Sequence, residues 1–169
     1  MDTNRIEKQL ELSAPIARVW RALTDHREFG QWFRVALDGP FVPGQPSTGH
    51  ITWPGYEHIR WEATIQKMEP PHLFSFTWHP YSIEPNIDYS KEIPTLVEFT
   101  LQSTPNGTLL RLTESGFENV PAHRRAEAFL KNGNGWIQQM KNIAIHLSRN
   151  PSPPPPPNPD SDPDADLDL

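Results

Sequence analysis

Glu114 is the ionisable residue best placed to do chemistry in this 169-residue chain. It continues the parity of Leu110 and Leu112, so a strand that buries those leucines turns the carboxylate inward as well. A carboxylate facing a cavity could accept a hydrogen bond from a ligand or act as a base. The alternative is a structural Glu that bonds loop N–H groups around Ser115-Gly116. Of the seven histidines, His58, His72 and His79 fall at or near strand ends without a recognised metal spacing. His123 and Glu127 stand four apart on a helix and supply two ligands where a metal site needs more. No metal site and no cofactor are expected. His79, between Trp78 and Pro80-Tyr81, is placed to hydrogen-bond a ligand at a cavity mouth. The chain has no Gly-rich phosphate loop, no nucleophile elbow and no paired carboxylates at a defined spacing. No catalytic residue is assigned. A cyclase or hydrolase using Glu114 and a histidine stands as an alternative.

Aromatic residues are the second feature. Trp53, Tyr56, Trp61, Phe74, Phe76, Trp78, Tyr81, Phe99 and Trp136 all fall in or beside candidate strands and the last helix. Such rings bury large areas and keep indole N–H and phenol O–H groups as directional donors, which is the composition of a small-molecule pocket and equally of a filled core.

These residues need elements to hold them. Arg5–Leu12 alternates Ile6, Leu10 and Leu12 against Glu7, Gln9 and Glu11, which predicts a half-buried strand. Ser13-Ala14-Pro15 predicts a helix start, with Ile16, Val19, Trp20 and Leu23 on its apolar face. Asp25 is the expected cap of a second short helix bearing Phe29, Trp32 and Phe33. From Ala36 to Glu114, Gly and Pro punctuation separates candidate strands at 50–53, 59–68, 73–78, 96–102 and 108–114. Asn106-Gly107 is the clearest hairpin signal, because both types tolerate positive φ. An antiparallel meander follows. The last element is a helix from about Pro121 to Ser148, with Asn119 as its expected cap. Its stripe is Ala126, Phe129, Leu130, Gly133, Ile137, Met140, Ala144 and Leu147, bordered by Trp136 and Ile143. Gly133 on that stripe suggests close approach to the sheet, and Gly135 a bend.

Composition bounds the partners. The net charge is -6, but residues 150–169 hold five of the 21 acidic residues and no Lys or Arg, leaving 16 acidic against 15 basic groups in residues 1–149. A nearly neutral body offers no clustered basic face, so nucleic acid is not an expected partner. No apolar run approaches the ~20 residues that cross a bilayer, and Met1 to Arg5 lacks a signal-like apolar stretch. No membrane association is expected, and the expected location is cytoplasmic. The absence of Cys excludes disulfides, thiolate zinc and a Cys nucleophile. Eight of the 20 prolines lie in 150–169, five of them in the run Pro153 to Pro157, and this segment reads as a disordered Pro/Asp-rich tail on a 1–149 domain.

A set of ordered motifs goes further than composition. Val19-Trp20-Arg21-Ala22-Leu23-Thr24-Asp25 with Trp32-Phe33, then Glu69-Pro70-Pro71 before Phe76-Thr77-Trp78, Thr113-Glu114-Ser115-Gly116-Phe117 and Asn134-Gly135-Trp136 resemble the bacterial single-domain type of the activator of heat-shock-protein ATPase homologue family. The resemblance covers residues 5 to about 149. It implies membership of the START-like, or SRPBCC, superfamily: an α+β helix-grip fold in which a curved antiparallel sheet wraps a long C-terminal helix, with two short helices after the first strand. It also implies a hydrophobic cavity between sheet and helix. The residues then expected to bind an apolar or aromatic small molecule are Trp61, Phe76, Trp78, His79, Tyr81, Phe99, Leu112, Glu114, Trp136 and Met140. A co-chaperone-like role with a chaperone ATPase as partner is the alternative that the family name implies. A monomer or weak dimer is expected.

Overall fold

The computed structural model describes residues 4–151. The rest of the predicted tail, like residues 1–3, lies outside the described residues. The order is β1 (Arg5–Leu12), α1 (Ile16–Thr24), α2 (His26–Phe33), β2 (Val35–Leu37), β3 (Pro46–Ile51), β4 (Arg60–Glu69), β5 (Leu73–Trp78), β6 (Thr95–Thr104), β7 (Gly107–Ser115), a 3-10 turn at Phe117–Asn119, and α3 (Ala122–Arg149). The strands form one antiparallel sheet in the order β1-β7-β6-β5-β4-β3-β2, with α3 packed against it. This is the α+β helix-grip architecture.

Alternation sets the buried face. Ile6 and Leu12 of β1, Trp61, Ala63 and Ile65 of β4, Val97, Phe99 and Leu101 of β6, and Leu110, Leu112 and Glu114 of β7 are all buried. A bulge between Ile65 and Lys67 interrupts the β4–β5 register, an irregularity that bends a strand and helps a sheet curve. Asp25 caps α2 as expected, its carboxylate accepting from the backbone N–H of Arg27 and Glu28 at 2.9 and 3.2 Å.

Several local expectations fail for identifiable reasons. The expected strand 50–53 is instead Pro46–Ile51, and the three-residue β2 carries too short a pattern to announce itself. Asn106 has no positive φ; Gly107 is required because a Cβ there would sit 1.9 Å from the Leu12 carbonyl oxygen. Asn119 ends the 3-10 turn, and Pro121 precedes the first residue of α3. The buried stripe of α3 is rotated from the expected one. Trp136, Met140, Ile143 and Leu147 are buried, whereas Leu130 is 60% and Ile137 43% exposed. Gly133 does not approach the sheet, since a Cβ there would meet nothing within 4 Å. The helix also runs unbroken through Gly135.

A polar cluster ties the three helices together at the C-terminal end of α3. The Glu28 carboxylate accepts from Arg18 Nη2 at 2.7 Å and lies 2.8 Å from His146 Nε2 and 2.9 Å from Arg21 Nε. Arg18 Nε also donates to the carbonyl oxygen of Asn150 at 2.9 Å, holding the first residue assigned to the tail against the body. Burial alone would raise the Glu28 pKa, but the bonds to His146 and Arg18 and the charges of Arg18 and Arg21 together lower it.

Because the folded pKa is depressed, this stabilisation is complete above the unfolded value of 4.5 and is lost as pH falls through the lower folded value. Glu28→Gln, which strands the buried Arg18, should therefore cost about 3 kcal/mol at neutral pH. Denaturant melts at several pH values should show the wild-type advantage shrinking as the pH falls below the unfolded value of 4.5.

Candidate functional site

Glu114 lies near the end of β7, paired with Ile6 of β1 on one side and Val97 of β6 on the other. It is fully buried, yet both carboxylate oxygens are met by donors. Trp78 Nε1 donates to Oε2 at 2.8 Å and Thr95 Oγ1 to the same oxygen at 2.6 Å. Trp136 Nε1 donates to Oε1 at 2.8 Å, and Asn132 Nδ2 reaches both oxygens at 3.0 and 3.2 Å. The donors come from the end of β5, the start of β6 and one turn of α3. Every contact is from a donor, the arrangement that suits an ionised carboxylate.

Around this carboxylate the space between sheet and helix is filled with rings. Trp136 lies 5.6 Å from Trp78, 5.8 Å from Phe99 and 6.1 Å from Phe33 between ring centroids. Trp61 packs on Phe76 and Trp78 at 5.4 and 5.5 Å. Open volume lies at the rim of this packing. One cleft, of 190 Å³, is lined by Ile51, Ile59, Arg60, Trp61, Glu62, Trp78, His79, Tyr81, Ser82, Ile83 and Asn132. A second, of 110 Å³, is lined by Phe33, Trp78, Lys131, Asn132, Gly135, Trp136 and Gln139. Trp78 and Asn132 belong to both, and both donate to Glu114 beneath. A larger groove of 360 Å³, near Arg34, Asn142 and Arg149, shares no residue with either cleft.

The expected site residues thus divide. Trp61, Trp78, His79, Tyr81 and Trp136 come together at the rim, over Glu114. Phe76, Phe99, Leu112 and Met140 fill the core and line neither cleft. Asn132, Phe33, Lys131, Gly135 and Gln139 were not expected. Asn132 had one available signal: it stands four residues before Trp136 and so shares its helix face.

The segment from His79 to Pro94 crosses the first cleft and is fastened to α3. Arg124 makes a bidentate ion pair with Glu92 and donates from Nη1 to the Pro80 carbonyl oxygen at 2.7 Å. Its guanidinium also lies 4.8 Å from the centre of the Tyr89 ring. His79 Nε2 is 2.9 Å from the Glu92 carbonyl oxygen, which ties this imidazole to the loop. Tyr81 adopts φ 52°, uncommon for a residue with a side chain. Loss of water, followed by the Glu127 carboxylate to which it is hydrogen-bonded, raises its phenol pKa. Among the described residues no group of three or more His, Cys, Asp or Glu side chains could hold a metal ion.

The family model for Activator of Hsp90 ATPase homolog 1-like protein matches residues 13–148, and the chain belongs to that family. Protein MLL2253 from Mesorhizobium loti is 27% identical over 86% of this chain and 97% of that one, with a TM-score of 0.68. A protein from Arthrobacter aurescens is 17% identical over 88% of this chain and 90% of that one, with a TM-score of 0.72. DynU16, a protein of the dynemicin biosynthetic locus, is 21% identical over 87% of this chain and 48% of that one, with a TM-score of 0.67. The last two likenesses show the fold alone. No curated protein matches the chain. Among the described residues no helix is long and apolar enough to cross a membrane.

Two substitutions test this reading of the geometry. Glu114→Gln puts an amide N–H₂ where one oxygen accepts two donors, and should cost about 3 kcal/mol in a denaturant melt. Arg124→Ala should leave the melting temperature within a few degrees of wild type and speed amide exchange in residues 82–93 by about tenfold or more. Unchanged exchange there would show that the ion pair does not hold the loop.

Proposed function

We propose that this domain binds a small, flat, apolar or aromatic molecule at the rim between the sheet and α3. The observation that carries this reading is the buried Glu114 carboxylate, which holds Trp78, Trp136 and Asn132 in fixed orientations directly beside the two clefts. Rigid ring faces with a few oriented polar groups are what a small-molecule site requires. The fold supports the same reading, since helix-grip domains of the SRPBCC type are typically ligand-binding. Each cleft is smaller than the ~300–1,000 Å³ usual for drug-sized ligands, which favours a compact molecule or one that overhangs the rim.

An enzymatic role for Glu114 has less support. Both of its oxygens are already engaged by protein donors, and it lines neither cleft. It acts on a bound molecule only through the residues it orients.

The test is a two-dimensional NMR screen of compact aromatic and lipidic compounds against the full chain. Binders should move the Trp78 and Trp136 indole N–H signals and leave that of Trp20, outside both clefts, in place. A broad screen that moved neither would overturn the proposal. Stimulation of a chaperone ATPase would then become the assay to run.

A further inference from the structure

We infer that the smaller cleft takes an aromatic ring carrying an anionic group, with Lys131 as the charge partner and Gly135 as the position that leaves room for the ring. This rests on the binding role proposed above and names the ligand class for one of its two clefts.

The cleft has an aromatic side and a helical side. Phe33, Trp78 and Trp136 lie within 5.6 to 6.2 Å of one another by ring centroids, a packed cluster that forms the aromatic wall of the cleft. Lys131, Asn132, Gly135, Trp136 and Gln139 follow the spacing of a single face of α3. A volume of 110 Å³ is on the scale of one six-membered ring.

Most of the polar atoms here are already in use. The two indole N–H groups and the Asn132 amide donate to Glu114. Gln139 donates to the Phe33 carbonyl oxygen at 3.0 Å and accepts from Asn142 at 3.0 Å. Lys131 remains. Glu127, one turn before it, is the natural ion-pair partner at that spacing, yet Lys131 makes no ion pair among the described residues. The negative charge of Glu114 lies below the rings and is met by four side-chain donors, which weakens its repulsion of a guest. An uncommitted cation beside an aromatic frame selects a guest with the same two parts in reverse.

Gly135 is the independent observation. Glycine is a poorer helix former than alanine in a helix interior. Nothing in the fold calls for it: a Cβ at Gly135 would meet no atom within 4 Å. The residue lines the cleft, and the absence of a side chain leaves that part of its wall open. Gly133 is equally unobstructed but lines neither cleft, and nothing in the structure explains it.

The test uses 3-phenylpropanoate and the matched alcohol, 3-phenylpropanol, titrated into the full chain at constant ionic strength while the Trp78 and Trp136 indole N–H signals are followed. The acid should bind about threefold or more tightly than the alcohol, the gain expected of a half-exposed charge pair. Lys131→Met, which keeps the apolar stem, should make the two equal. Gly135→Ala should raise the melting temperature and weaken both compounds by about tenfold or more. If the alcohol binds as well as the acid, or Lys131→Met leaves the preference intact, the anionic part of the inference falls while the binding role stands. If Gly135→Ala binds like wild type, the role of Gly135 falls. If neither compound moves either indole up to its solubility, the inference and the binding role of this cleft fall together.

Discussion

The structure depends on a carboxylate that has been taken out of water. Removing a carboxylate from solvent costs several kcal/mol, and its burial is tolerable only when its lone pairs are met by donors. Glu114 meets that requirement through Trp78, Thr95, Asn132 and Trp136, which belong to three elements distant in sequence. The constraint runs both ways. Two indole N–H groups, an amide and a hydroxyl would be left without a partner if the carboxylate were absent, so the helix cannot rotate or slide without stranding charged and polar groups together. This accounts for α3 burying Trp136 and Met140 and turning Leu130 and Ile137 outward, against the simplest reading of its hydrophobic pattern.

A second buried carboxylate holds the other end of the same helix. Glu28 joins α1, α2 and α3 through Arg18, Arg21 and His146, while Arg18 secures the chain just beyond the helix. Between the two polar anchors, packing is aromatic. Rings from Phe29 through Phe33, Trp61 and Trp78 to Trp136 form a continuous series of stacked, edge and tilted contacts. Such a core is closely filled, so the two clefts beside Trp78 and Asn132 open at its edge and not within it. The anchored rings present fixed faces to the clefts, and Arg124 fastens the His79–Pro94 segment to α3.

Much of this was legible in the amino-acid sequence, because period-two alternation over β1, β4, β6 and β7 leaves little choice about which face is buried. The parity of Leu110, Leu112 and Glu114 by itself predicts an inward carboxylate. Its partners were not legible. Trp78, Thr95 and Trp136 are brought to it by strand pairing and helix packing across 19 to 36 residues, and local patterns carry no information at that range. Asn132 was overlooked because an amide on a helix ordinarily marks a solvated face. The stripe of α3 was misjudged for a related reason: hydrophobic spacing ranks Leu130 with Trp136, and only the hydrogen bond to Glu114 separates them. Short β2 and the Pro46 start of β3 were lost because three residues cannot show a period and proline reads as punctuation.

If Glu114 immobilises the two indoles, their N–H protons must exchange slowly with deuterium. Both protons point at a buried carboxylate, whereas Trp53 is 40% exposed and serves as the internal reference. The account predicts that the Trp78 and Trp136 indole protons exchange at least about a hundredfold more slowly than that of Trp53, as protection by burial and hydrogen bonding requires. Exchange of either proton at the Trp53 rate would mean that the hydrogen bonds to Glu114 are not held in solution, and the account of both the helix position and the clefts would be contradicted.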